Sequence, residues 1–210
     1  MPTVENIVLP PPGPGEVLNW RKVFGDDRPV ELEIGSGKGG FLLDRAKAYP
    51  GRGFLGVEWA NQFFRFAADR MARWGVTNVR LMRTDGGYLV THHLPPESLT
   101  LLHIYHPDPW PKTRHHKKRL IQIGFVKAAA NTMAPGGRLA IQTDHADYFE
   151  HIRQVVREEP RLAEVPFDVL EVAVVDGRVG TNFETKYLRE GRRIYQLALQ
   201  KLSGGCCPNT

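Results

Sequence analysis

VELEIGSGKGGFLLDRAKAY, residues 30–49, is the stretch on which the fold turns. VELEI (30–34) is a short run of aliphatic residues broken by two acids, the length of a strand rather than a helix. Glycines follow at Gly35, Gly37, Gly39 and Gly40, and GFLLDRAKAY (40–49) then takes up helical spacing. A strand, a Gly-rich turn and a helix in that order open a parallel α/β unit. The G-x-G-x-x-G spacing of Gly35, Gly37 and Gly40 fits a turn that brings a ligand close to the backbone.

The alternation continues along the chain. GFLGVE (53–58), NVRLMR (78–83), LTLLHIY (99–105) and GRLAIQT (137–143) read as further strands. NQFFRFAADRMARW (61–74), RLIQIGFVKAAANTM (119–133) and ADYFEHIRQVVRE (146–158) read as helices, stopped by Gly75, by the Pro135-Gly136-Gly137 turn and by Pro160. FDVLEVAVV (167–175) and RIYQLALQ (193–200) close the set with no helix between them, so they pair antiparallel. The expectation is an α/β fold: a mostly parallel seven-stranded sheet, an antiparallel edge strand and helices on both faces. In such sheets ligands bind beyond the carboxyl ends of the strands.

A chain of 210 residues, 41% hydrophobic, supports one sizeable core. Residues 1–28 are rich in Pro and Gly and are expected to form an arm, in which VLNWRKVF docks Trp20 and Phe24. Residues 29–202 are expected as a single domain and 203–210 as a flexible tail. No apolar run approaches the roughly 20 residues of a membrane span. MPTVENIVLPPPGPG carries neither an Arg-rich presequence nor an apolar secretory core, so a cytoplasmic location is expected. Cys206 and Cys207, the only cysteines, lie side by side in the tail and offer too few ligands for a zinc site; no metal is expected. The net charge of +5 points to a polyanionic partner only where it is clustered, and KTRHHKKR (112–119) is the cluster.

Three carboxyl groups follow three successive strands. Glu58 lies about 20 residues beyond the Gly-rich turn, the usual place for an acid that holds a ribose. Glu33 sits inside the end of the first strand, where a carboxylate is costly unless it meets a donor. Asp85 follows the third strand, in reach of an adenine amino group. A pyrophosphate cofactor gives Glu33 no role, whereas the cationic amino acid end of S-adenosylmethionine does. After the fourth strand, HPDPWP (106–111) holds Asp108 between two prolines beside Trp110, a pocket wall with one acid and one flat aromatic face suited to a purine. The basic run leaves that pocket as a track for phosphates.

The segments LEIGSGKGGFL, FLGVE, the Asp85 turn, HPDPWPKTRHHKKR, QTDHADY and TNFETKYLREGRRIY together resemble the bacterial tRNA (guanine-N7-)-methyltransferases, over residues 17 to 202 or so. The Pro-Asp-Pro-Trp-Pro-Lys run with its basic continuation is the specific part. The resemblance implies a Rossmann-like class I methyltransferase fold and S-adenosyl-L-methionine as cofactor. It implies that Glu33, Gly35, Gly37, Glu58, Asp85 and Asp108 bind or organise the cofactor, with Asp108 nearest the reaction. It assigns Lys112, Asp144, Thr181, Asn182, Phe183 and Glu184 to the target nucleotide, and Arg114, His115, His116, Lys117, Lys118 and Arg119 to the tRNA. The implied substrate is a variable-loop guanosine, position 46 of tRNA. No obligatory protein partner is implied, the chain acting as a monomer or homodimer.

Two positions depart from the family pattern. His106 replaces an apolar or aromatic residue, and His145-Ala146 replaces a bulkier or acidic pair; both histidines are read as neutral space-fillers. Guanine N7 carries an exposed lone pair, so its methylation requires no base to remove a proton and no nucleophilic cysteine. Another base-directed RNA methyltransferase of the same fold is the alternative expectation. An NAD-dependent oxidoreductase would leave Asp108, Trp110 and the basic run without a role.

Overall fold

Val30–Ile34 (β1) becomes a central strand because its aliphatic residues are buried among neighbours on both sides: it pairs in parallel with a strand from Gly53 and another from Leu99. The computed structural model describes residues 2–167, 174–175, 178–179, 191 and 193–203. Along the chain, α1 (Val4–Ile7) and α2 (Trp20–Phe24) precede β1. Then come α3 (Gly40–Ala48), β2 (Gly53–Val57), α4 (Asn61–Arg73), β3 (Val79–Met82), α5 (Gly86–His92) and β4 (Leu99–Tyr105). After a 3-10 turn at Thr113–Lys118 follow α6 (Ile123–Thr132), β5 (Met133–Thr143), α7 (Ala146–Arg157) and β6 (Leu162–Val165). The two-residue strands β7 (Val174–Val175) and β8 (Arg178–Val179) form a separate ladder, and β9 (Tyr195–Lys201) returns to the main sheet.

That sheet has seven strands in the order β3-β2-β1-β4-β5-β9-β6. The first five are parallel, and β9 runs antiparallel to both β5 and β6. The chain winds outward in one direction from β1 to β3 and in the other from β4, so the crevice beyond β1 and β4 is the topological switch point where ligands bind. One core packs α5, α6 and α7 against one face, and a second packs α3 and α4 against the other.

Some expected boundaries move, each for a local reason. The strand that pairs with β9 at the edge of the sheet is Leu162–Val165, with Leu162 opposite Lys201; of the strand expected at 167–175, residues 168–173 lie outside the described residues, and Val174–Val175 pair with β8. The last two sheet strands are antiparallel as expected, with the reversed strand one place in from the edge. Helix α6 starts at Ile123, because Arg119–Gln122 are drawn into the loop after β4. Strand β5 starts at Met133, ahead of the Pro-Gly-Gly turn, which bulges out between the Leu99–Met133 and Leu101–Arg138 pairs. The expected N-terminal arm is packed on the domain: Ile7 is fully buried, Leu9 donates to the Leu81 carbonyl, and Trp20 and Phe24 pack against the core.

Candidate active site

At the end of β1 the chain must turn into α3 without side chains in the way. Gly35 and Gly37 take positive φ, and a Cβ on Gly35 would meet no protein atom within 4 Å; both residues line the cleft there. Gly39 is required for a different reason: a Cβ would stand 2.8 Å from the Met71 side chain, so its absence lets α3 and α4 approach. The turn is held from β2, where Glu58 accepts from the backbone N–H of Gly37 (2.8 Å) and of Ala60 (2.7 Å). A carboxylate has about four acceptor positions, so Glu58 retains capacity for a ligand. After β3, Asp85 caps α5 by accepting from the Tyr88 N–H at 2.8 Å.

The loop after β4 forms the opposite wall. His106 and Trp110 both precede prolines, where extended backbone is the rule, yet their φ values are +52° and +42°. Such conformations cost on the order of 1–3 kcal/mol each and persist where surroundings over-determine them. The surroundings are visible. The His106 N–H donates to the Gln142 carbonyl at 2.8 Å. Arg119 donates through Nε to the Pro109 carbonyl at 2.9 Å, to His116 Nε2 at 3.0 Å, and to Asp147 on α7. Lys118 lies 4.9 Å from the Trp110 ring centroid, and His115 meets that ring edge-on.

These elements enclose a cleft of about 440 Å³, within the range of small-ligand sites. Of the residues singled out from sequence, it brings together Gly35, Gly37, Glu58, Asp85, Asp108 and Lys118. Asp144 stands behind it, its carboxyl oxygen 3.7 Å from His106 Nδ1. Burial pulls the His106 pKa down against the opposing pull of Asp144, which keeps the ring neutral. His145 is the N-cap of α7, its Nδ1 accepting from the Tyr148 N–H at 3.3 Å, so it has a defined role beyond filling space.

The basic run divides. Lys112, Arg114, Lys117 and Lys118 are exposed. Arg119, grouped by sequence with the tRNA-facing residues, is corrected: its side chain is 1% exposed and is spent on Pro109, His116 and Asp147. It shapes the loop from inside and offers no charge to a polyanion. Thr181, Asn182, Phe183 and Glu184, and the Cys206-Cys207 pair, lie outside the described residues.

Beneath the cleft, Glu33 is 4% exposed and its Oε2 has no hydrogen-bond partner among the described residues. Burial first, and the charge of Glu58 second, raise its pKa to about 8, with Arg45 opposing. An orphaned acid under a glycine turn is the kind of group a cationic ligand would satisfy, which fits the methionine end of S-adenosylmethionine.

Sequence reasoning missed two groups. Trp59, Phe63 and Tyr105 also line the cleft; the signal for Trp59 was present, an exposed aromatic directly after the strand-end acid. The second is a buried charge cluster. Glu31 receives both Arg45 nitrogens at 2.8 Å, Arg52 at 2.6 Å and His103 Nε2 at 2.9 Å. Burial raises the Glu31 pKa, but these partners outweigh it and hold it at about 2. Burial lowers the His103 pKa, and with two guanidiniums already balancing Glu31 the ring is neutral. His103 therefore donates through Nε2, and its Nδ1 accepts from the Tyr105 hydroxyl at 2.8 Å. Polar residues inside apolar strand runs on two neighbouring strands were the available signal.

Strand order and cleft position define the class: a Rossmann-like methyltransferase that uses S-adenosylmethionine. Among solved structures, the aminoglycoside resistance methyltransferase NpmB1 matches with a TM-score of 0.59 at 15% identity, over 87% of this chain and 93% of that one. TrmN from Thermus thermophilus matches with a TM-score of 0.57 at 17% identity, over 87% of this chain and 47% of that one. Both likenesses concern the fold. A sequence model described as "Putative methyltransferase" matches residues 27–197. A tRNA (guanine-N(7)-)-methyltransferase of Alkalilimnicola ehrlichii is 37% identical over 190 residues, 90% of this chain and 80% of the relative. One of Mycobacterium avium is 41% identical over 185 residues, 88% of this chain and 71% of the relative. The chain belongs to the tRNA (guanine-N(7)-)-methyltransferase family.

Proposed function

We propose that this protein transfers a methyl group from S-adenosylmethionine to N7 of the variable-loop guanosine of tRNA, position 46, in the cytoplasm. The observation that carries the reading is the single cleft in which the glycine turn, Glu58 and Asp85 face Asp108 and Trp110. No helix among the described residues is long and apolar enough to cross a membrane.

In this reading Gly35 and Gly37 give the cofactor backbone contact, Glu58 accepts from its ribose, Asp85 from its adenine, and Glu33 meets its ammonium end. When bound, S-adenosylmethionine supplies an electrophilic methyl group. The chain's own residues then have to hold the base, because N7 already carries its lone pair. Trp110 offers a ring for stacking, and its strained backbone fixes that ring before substrate arrives, so less orientation entropy is lost in reaching the reactive geometry. Asp108 faces a base that becomes cationic as the methyl arrives, and its charge favours the transition state. Asp144, Lys112 and the Thr181-Asn182-Phe183-Glu184 segment complete recognition of the guanosine. Arg114, Lys117 and Lys118 attract the phosphates, with no obligatory protein partner.

The test is methyl transfer to tRNA carrying guanosine or 7-deazaguanosine at the variable-loop position. Guanosine should be methylated and the 7-deaza tRNA should not. Equal transfer to both overturns the target atom. Asp108→Ala should lower kcat/KM by roughly a hundredfold or more, and near-normal methylation by that variant would remove Asp108 from the reaction centre.

A further inference from the structure

Exposed aromatics run as a stripe from the cleft residues Trp59 and Phe63 along α4 to Phe66 and Trp74, the last two outside the cleft and unused by the methyl-transfer chemistry. Trp59, Phe63, Phe66 and Trp74 are exposed at 69%, 40%, 41% and 61%, which makes them four of the five large exposed aromatics among the described residues. Phe63, Phe66, Arg70 and Trp74 recur at intervals of three and four residues, the spacing that keeps side chains on one face of a helix, and Trp59 stands just before the helix begins. The buried face of the same helix is Ala67, Ala68 and Met71, so the stripe has no packing role in the core.

The stripe is not simply apolar. Lys38 and Arg70 lie 5.5 and 5.1 Å from the Phe66 ring centroid, and Lys47 lies 3.5 Å from that of Trp74. Asp69, the acid on this part of the helix, is engaged by Arg73 at 2.7 Å. Rings flanked by cations for which no ion pair is formed among the described residues suit a ligand with flat faces and negative charge. Unpaired nucleotides have both, and proteins that bind single strands combine stacking platforms with a cationic track. A second copy of this chain would bring the same cations against each other.

The stripe also begins in the right place. Trp59 and Phe63 line the same cleft as Trp110 and Lys118. From Phe63 to Trp74 it continues for about 16 Å along the helix axis, room for a few nucleotides. We infer that the α4 stripe is a stacking track for the unpaired nucleotides flanking the target base, with the basic turn at Thr113–Lys118 taking the strand on the other side of the cleft. This inference rests on the tRNA reading above and adds a second RNA-binding surface to it.

The experiment compares wild type, Phe66→Ala/Trp74→Ala and the off-stripe control Tyr88→Ala. Each is measured for binding of labelled unmodified tRNA by anisotropy, for S-adenosylhomocysteine affinity by calorimetry and for Tm. Phe66 and Trp74 lie outside the cleft, so cofactor affinity and Tm should hold. The tRNA Kd should rise roughly tenfold or more for each ring removed, and tRNA should quench the fluorescence of Trp74. If the wild type methylates tRNA and the double variant binds it equally well, the stripe is not a nucleotide track, though the functional reading stands. Loss of a concentration-dependent dimer in the variant, with tRNA affinity unchanged, assigns the surface to self-association instead. Failure of the wild type to bind tRNA at all would overturn both readings.

Discussion

Glu31 and Glu33 stand two residues apart on β1, on the same face of the strand by its alternation, and both are buried, at 0% and 4% exposure. Their surroundings push them in opposite directions. Glu31 meets two guanidiniums and an imidazole, and its pKa falls to about 2. Glu33 finds no donor for Oε2, and its pKa rises to about 8. Within one strand the chain passes from a charge completed by its own fold to one left incomplete beside the glycine turn. A buried acid with its donors built in is architecture. A buried acid without them marks a place kept for a ligand.

The most severe way to break that contrast is to remove a partner of Glu31. Arg45→Met takes the fully buried guanidinium from Glu31, leaving Arg52 and His103, and should lower unfolding free energy by about 3 kcal/mol, the lower end for breaking a buried ion pair, read by urea denaturation at pH 7. A loss under about 1 kcal/mol would mean the cluster is not an anchor. Glu33→Gln should leave the fold intact. It should weaken S-adenosylhomocysteine binding roughly ten- to a hundredfold, the worth of a hydrogen bond to a charged group. Unchanged affinity by calorimetry would remove Glu33 from the cofactor site.

The two acids should also give stability slopes of opposite sign. Glu31 has a folded pKa below its unfolded value, so its contribution is present above about pH 4.5 and is lost as pH falls toward about 2. Glu33 has a folded pKa above its unfolded value, so its contribution is present below about pH 4.5 and is lost as pH rises toward about 8. In cofactor-free protein, Glu33→Gln should flatten the decline in stability between pH 5 and 8. An unchanged slope would show that Glu33 is not the group that titrates. The smallest effect concerns charges that the fold itself does not use. Neutralising Arg114 and Lys117 should reduce the salt slope of tRNA binding by roughly 0.7–0.9 for each phosphate that the protein no longer neutralises, with no change in Tm. Neutralising Arg119 should instead lower Tm, because it holds Pro109 and Asp147.

Much of the architecture is legible in the sequence. The succession of strands and helices along the chain follows from alternating apolar runs, and LTLLHIY matches its strand to the residue because a buried parallel strand is a continuous apolar run. Gly35, Gly37, Glu58, Asp85 and Asp108 can be placed in one cleft because all follow parallel strands at the carboxyl edge. The sixth strand cannot be located that way, since Leu162–Val165 is polar at its centre and is selected by its register with β9.

What the sequence determined by itself was periodicity and local chemistry: where backbone alternates between strand and helix, where glycine must turn, and where positive charge accumulates. Tertiary structure decided which charges are free. Arg114 and Arg119 look alike in KTRHHKKR, yet one is exposed and the other is buried against Pro109 and Asp147. Glu31 and Glu33 look alike in VELEI, yet only one finds donors, and those donors come from α3, the chain just before β2, and β4. The reason is physical: spacing fixes the direction of a side chain along its own element, whereas the partners that set its charge state come from elements distant in sequence.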